Sequence, residues 1–193
     1  ILSRFSSKRL PGKALIRIHN KPVLQYIIER LNLAFNRDLI IIATSISPSD
    51  QPIVDFARRN KVSCFRGSLH NVAERFYLAA KQMRFDYAIR INGDNIFTDW
   101  KVLKQMVKIA KTNRFSFVSN LKERTFPRGM SIEIIKLRYY KSLLRKIYSS
   151  RKHREHVTSY LYEAKRKGRN YYYKNTMFPS AYGIQLALDT PAD

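Results

Sequence analysis

A single cysteine in 193 residues, Cys64, leaves no partner for an internal disulfide and too few thiols for a multi-cysteine zinc site. It sits in the apolar run Val62-Ser63-Cys64-Phe65 and reads as a small buried hydrophobe. The 4 histidines are scattered singly, which excludes a histidine-based zinc cluster or catalytic triad as a legible pattern. No apolar run approaches the roughly 20 residues of a membrane-spanning helix, and no signal peptide is visible, so a cytoplasmic protein is expected. Acids are scarce as well. Only 14 Asp and Glu face 37 Lys and Arg, a formal charge of +23, which raises nucleic acid as a partner. The cations are spread along the whole chain, and no helix-turn-helix, zinc-finger or RNA-recognition signature accompanies them, so no specific nucleic-acid partner is expected.

With 45% apolar residues the chain can bury one sizeable core, and a single domain over residues 1–193 is the expectation. The chain starts without Met at Ile1, inside an expected strand, and stops at Asp193 where a helix should begin, so a domain trimmed at both ends is expected. Buried-strand runs alternate with amphipathic helical stretches, the signature of an open α/β sheet with helices on both faces. Strands are predicted over 39–44, 62–65, 87–91, 115–120 and 131–135. Helices are predicted over 21–33, 71–82, 100–112, 138–148 and 155–165, and another runs to about Asn60 behind a Ser49-Asp50-Gln51-Pro52 cap. In the first helix Val23, Leu24, Ile27, Ile28 and Leu31 share one face.

The opening run Arg4-Phe5-Ser6-Ser7-Lys8-Arg9-Leu10-Pro11-Gly12-Lys13 crowds cations with small residues and a Pro-Gly turn directly after an apolar start. A strand-to-loop transition of that kind cradles a polyphosphate. A second concentration of chemistry lies at Arg90-Ile91-Asn92-Gly93-Asp94-Asn95. An Asp after Gly at the carboxyl end of a buried strand projects into the crevice where open α/β sheets bind ligands, and can hold magnesium there. Asp189, after the apolar stretch 184–188, is the candidate second carboxylate. Residues 136–174 interleave Tyr139, Tyr140, Tyr160, Tyr162 and Tyr171 to Tyr173 with Lys and Arg, a mixture that could stack bases or touch an anionic membrane.

Taken together, the ordered segments resemble the cytidylyltransferase family. They are Ser3 to Lys13, Asn20-Lys21-Pro22, Ala43-Thr44-Ser45, Phe65-Arg66-Gly67-Ser68, Asn71 to Phe76, Arg90 to Asp94, Phe126-Pro127-Arg128-Gly129, Arg154 to Thr158 and Asp189-Thr190-Pro191. The resemblance is closest to the branch of spore coat polysaccharide biosynthesis protein F, and more distant to CMP-KDO synthetase. It implies a Rossmann-like open mixed sheet of the nucleotide-diphospho-sugar transferase type. The implied activity is magnesium-dependent transfer of CMP from CTP to a sugar or sugar-acid acceptor with release of pyrophosphate, for surface polysaccharide, by a homodimer.

By that resemblance Arg4, Arg9 and Lys13 contact the triphosphate with help from Ser6 and Ser7, and Asp94 and Asp189 hold magnesium. Ala43, Ser45 and Asn92 lie near the nucleoside, and Arg66, Ser68 and Arg75 near the base or phosphates. Residues 126–133, with Glu133, border the acceptor together with Arg154 and His156. Lys13, Arg9 and Asp94 are the expected catalytic groups.

The chain departs from the closer branch at Ser6 and Lys8, where Gly then Ser or Thr is common, at Asn20 in place of Gly, and at Gly129-Met130-Ser131, which lacks an Asp. Ser6 suits its place only if that residue needs no positive φ. Two other readings compete: a glycosyltransferase using a finished nucleotide-sugar, against which no Asp-x-Asp pair appears, and a non-enzymatic polyanion-binding module.

Overall fold

The structure, a computed structural model, describes residues 1–7, 9–164, 168–190 and 192. The expectations attached to Lys8, Lys165, Pro191 and Asp193 lie outside the described residues.

A tight hairpin of β1 (Arg17–Ile18) and β2 (Lys21–Pro22) precedes α1 (Val23–Asn32), β3 (Ile41–Ser45), α2 (Gln51–Arg59), β4 (Ser63–Gly67), α3 (Val72–Gln82) and β5 (Tyr87–Arg90). The chain continues through α4 (Trp100–Lys111), β6 (Phe117–Ser119), β7 (Glu133–Lys136), α5 (Leu137–Tyr148), α6 (Arg151–Glu155), α7 (Ser159–Glu163) and β8 (Asn170–Tyr172).

Strands β3 and β4 pair in parallel, Ile41 opposite Ser63 through Ser45 opposite Gly67. A mixed group runs β5-β7-β6-β8, with β7 antiparallel to both neighbours and β8 parallel to β6. Residues 1–3 join the two groups. Ala43 N donates to Ile1 O (2.8 Å) on one side, while Leu2 N donates to Ile91 O (2.8 Å) and Gly93 N to Leu2 O (2.8 Å) on the other. The strand expected at Ile1 is therefore an extended segment wedged between β3 and the end of β5.

Successive strand residues point to opposite faces, and each face has its own core. Ile42, Val118 and Ile134 pack with the apolar sides of α1, α2 and α4, whereas Ala88, Phe117 and Ile135 pack with α3, α5 and α7. The molecule is thus an α/β fold with a mixed sheet covered on both sides. All five apolar residues assigned to one side of α1 are buried.

Three local expectations are corrected. The first helix starts at Val23, because Lys21 and Pro22 pair with β1 instead; Pro22 occupies the N-cap at ψ 146. The turn between those strands puts Asn20 at φ 63, the left-handed conformation that Asn tolerates. The helix expected over 155–165 is confined to α7, because Glu155 ends the separate helix α6 and the chain is non-helical between Glu155 and Ser159. Val157 and Thr158 are buried there, and the Val157 carbonyl accepts the Tyr140 hydroxyl at 2.7 Å in place of a helical partner. Most of the tyrosines of 136–174 lie half-buried against the core, and Tyr171 is 37% exposed. Tyr140 is fully buried, Tyr162 stacks on Tyr172 and meets Phe117 edge-on, and β8 incorporates Tyr171 and Tyr172.

Candidate active site

The loop of residues 4–13 folds back on Phe5, whose carbonyl accepts from Ser7 N (2.9 Å) and Gly12 N (2.8 Å). Gly12 has φ +70, and a Cβ there would lie 3.2 Å from the Phe5 ring, so close packing and backbone sign both select glycine. Ser6 is absent from the positive-φ residues, so its replacement of glycine introduces no strain. The turn delivers Lys13 into the crevice. Its Nζ lies 2.6 Å from Asp94 Oδ2 and 3.2 Å from Asp189 Oδ1, and Arg9 Nη2 reaches Asp189 Oδ1 at 2.8 Å.

Asp94 owes its position to Gly93, whose backbone is pressed against residues 2–3; a Cβ on Gly93 would stand 2.7 Å from Ser3 Oγ. Asp189 is brought alongside by residues 184–188. Arg128 N donates to Ile184 O (2.9 Å), Leu186 N to Arg128 O (2.8 Å) and Leu188 N to Asp94 O (3.4 Å). Residues far apart in sequence therefore converge on one ammonium group. Because both carboxylates lie within hydrogen-bonding reach of one Lys13 nitrogen, they face a common point. Magnesium is usually bound through one or two carboxylates plus phosphate oxygens, and this pair fits that requirement. Among the described residues no group of three or more metal-ligating side chains exists, so a cation here would draw its remaining ligands from substrate and water.

The reading of Asp50 as a helix cap is corrected. It occupies the N-cap of α2 but makes no capping bond. Its carboxylate turns under the first loop instead. Oδ1 accepts Phe5 N (2.7 Å), and Oδ2 accepts Thr44 Oγ1 (2.9 Å), Ser45 N (2.9 Å) and the Ser45 hydroxyl. Burial pushes its carboxyl pKa up, but the hydrogen bonds from Ser45, Phe5 and Thr44 outweigh that and hold it below the ordinary value. Ser45 and Ala43 are buried, Ser45 as a strut of this network. Sequence reasoning missed the role because a Ser-Asp-Gln-Pro run reads equally well as a cap.

Arg66 wraps the end of β3, donating to the carbonyls of Ser45 (3.2 Å), Ile46 (3.1 Å) and Ser47 (3.0 Å) and to Gln51 Oε1 (3.0 Å). Arg75 is 1% exposed and donates from Nη1 to Ser68 O (2.8 Å). Burial, then the nearby Arg4 cation, lower its pKa to about 10 against the opposing pull of Asp50. Arg4 itself reaches Leu69 O at 3.4 Å, and Ser68 Oγ accepts Asn71 N at 2.9 Å.

Beside Asp94 and Asp189 opens a polar cavity of about 340 Å³, lined by Arg9, Asn92, Asn120 and the 126–129 segment, with Arg90, Arg124 and Arg128 on its walls. Glu133 does not line it. The carboxylate is fully buried, paired with Arg90 and accepting the Tyr162 hydroxyl (2.7 Å), so it holds Arg90 in the wall. A cation ending a buried strand requires such a partner, which is the signal that would have revealed Arg90. Arg154 and His156 are exposed on and just beyond α6 and do not line this cavity.

The profile of the family described as cytidylyltransferase matches residues 1–191. An uncharacterized protein of Methanocaldococcus jannaschii is 33% identical over 196 residues, spanning 100% of this chain and 78% of that protein. Spore coat polysaccharide biosynthesis protein SpsF of Bacillus subtilis is 28% identical over 167 residues, 83% of this chain and 68% of that protein. Among solved structures, a cytidylyltransferase from Leptospira borgpetersenii superposes with TM-score 0.87 at 33% identity, covering 98% of this chain and 79% of the other. CMP:2-keto-3-deoxy-manno-octonic acid synthetase in complex with CTP superposes with TM-score 0.69 at 15% identity, covering 99% and 92%, a likeness of fold.

Proposed function

The chain belongs to the cytidylyltransferase family, and we propose that it transfers CMP from CTP to a sugar or sugar-acid acceptor, releasing pyrophosphate, with magnesium as cofactor. The observation that carries this reading is the convergence of Arg9 and Lys13 with Asp94 and Asp189 at the mouth of an arginine-walled cavity. An acceptor hydroxyl oxygen attacks the α-phosphorus and the bond to the bridging oxygen of the β-phosphate breaks. The hydroxyl proton passes to solvent. Positioning and cations carry such a reaction, with no covalent nucleophile required.

Lys13 and Arg9 neutralise the charge that grows on the departing pyrophosphate. Asp94 and Asp189 would hold magnesium, which when bound offsets phosphate charge and helps orient the donor. Asp50 fixes the backbone at Phe5, and with it the loop that presents both cations. Arg90, Arg124 and Arg128 give the cavity the character of a site for an acidic acceptor, with Asn92 and Asn120 available to sugar hydroxyls. Met177, Phe178, Tyr182 and Ile184 are exposed apolar residues of the 177–184 segment, and a homodimer belongs to this reading.

Pyrophosphate release from CTP, assayed across a panel of sugars and sugar acids with magnesium, tests the proposal. Release that depends on a particular acceptor and is lost in Asp94→Asn and Asp189→Asn is the expected result. Release unaffected by either substitution contradicts it.

A further inference from the structure

The outer side of α4 is a cationic stripe that the active site does not use. Lys101, Lys104, Lys108 and Lys111 are all exposed, and their spacing aligns them along one side of the helix, opposite buried Leu103, Met106 and Ala110. The helix contains no carboxylate; Asp99, its N-cap, is occupied with Lys101 N (2.7 Å) and Val102 N (3.2 Å). Among the described residues none of these four lysines forms an ion pair. The neighbouring helices of the same layer differ. Glu29 on α1 pairs with Lys21, and Asp55 on α2 with Arg58.

At the start of the stripe stands Trp100. The ammonium groups of Lys104 and Lys101 lie 4.9 Å and 5.6 Å from the centre of the half-buried Trp100 ring. A row of cations ending in an indole matches the boundary of an anionic bilayer, where phosphates meet acyl chains. Lysine, a strongly hydrated point charge, suits diffuse attraction to such a surface. Reading a nucleic acid favours arginine forks and a groove with stacking platforms, and this convex helix offers neither.

We infer that α4 is a docking face for anionic lipid headgroups.

Sedimentation of the full chain with vesicles of phosphatidylcholine, alone or mixed with phosphatidylglycerol, tests this. One variant carries Lys101→Gln, Lys104→Gln, Lys108→Gln and Lys111→Gln. A second removes the same charge from the opposite layer, by Arg138→Gln, Lys141→Gln, Arg145→Gln and Lys146→Gln on α5. Glutamine is a good helix former, so both retain their helices, which circular dichroism checks. Binding to the anionic vesicles should fall at least about tenfold in the α4 variant, given the attraction each surface lysine supplies, and less than about twofold in the α5 variant. Equal losses in the two variants would mean that net charge alone is responsible. That outcome overturns the inference, as would failure to bind anionic vesicles or a preference for duplex nucleic acid that the α4 changes abolish.

Discussion

Two charged regions of the molecule are built on opposite principles. At the carboxyl end of the sheet, Arg9, Lys13, Asp94 and Asp189 satisfy one another, and Arg90 is locked by Glu133. Along α4 and α5, cations stand side by side in water with no carboxylate on either helix. Solvent and salt screen such exposed charges. Charges held in a crevice, with carboxylates and cations opposed at hydrogen-bonding distance, form a device into which a polyphosphate and a cation can be exchanged. The formal charge of +23 therefore says little about catalysis, and the small minority of paired groups says most.

Substitutions sharpen this contrast, beginning with the site. Asp94→Asn should lower turnover by about 3 kcal/mol of transition-state stabilisation, a hundredfold or more, by analogy with other single electrostatic groups. Steady-state pyrophosphate release measures it, and an unchanged melting temperature separates the loss from unfolding. Asp50→Ala removes the acceptor of Phe5 N and Ser45 N. Stranding those buried donors should cost about 3 kcal/mol in urea-induced unfolding.

Asp50 also confers a pH dependence. Its pKa is lower folded than unfolded, so its contribution is complete above the unfolded value near 4 and is lost as pH falls through the folded value. The stability gap between wild type and Asp50→Ala should accordingly narrow below about pH 4.

Gly12→Ala forces a side chain into a left-handed conformation against the Phe5 ring, at a cost of about 1–2 kcal/mol. Because Gly12 N closes the loop that aims Lys13, turnover should fall along with the unfolding midpoint. Neutralising the α4 lysines should be the mildest change, within about 0.5 kcal/mol of wild type in stability and without effect on turnover in the absence of lipid. A large loss of activity there would erase the distinction between the two regions.

How much of this was legible depended on how local the signal was. The apolar side of α1 and the alternation of strands and helices follow from period alone. Asp94 stood out because an Asp after Gly at the end of a buried strand projects into the ligand crevice, although it could equally cap a turn. Lys13 stood in the cationic opening loop and Asp189 followed the apolar stretch 184–188, all three in segments ordered as in a known family. The role of Asp50 was not legible, since the same four residues cap a helix as readily as they support a loop. Nor was that of Glu133, whose buried orientation follows from its place opposite Arg90 in a β5–β7 pair that no local pattern encodes. The break between α6 and α7 likewise depends on Tyr140, from another helix, occupying the Val157 carbonyl. Tyrosines spaced among lysines looked like a surface, and only tertiary packing lays most of them, half-buried, against the core.

The most direct test of the central claim is calorimetric titration of CTP, UTP, ATP and GTP with magnesium, at physiological and at high salt, into the wild-type chain and Asp94→Asn. A preference for CTP that survives salt and weakens in Asp94→Asn is the predicted result. Equal binding of all four nucleotides, abolished by salt and indifferent to Asp94, would show that unpaired surface charge, and not the paired site, holds the nucleotide.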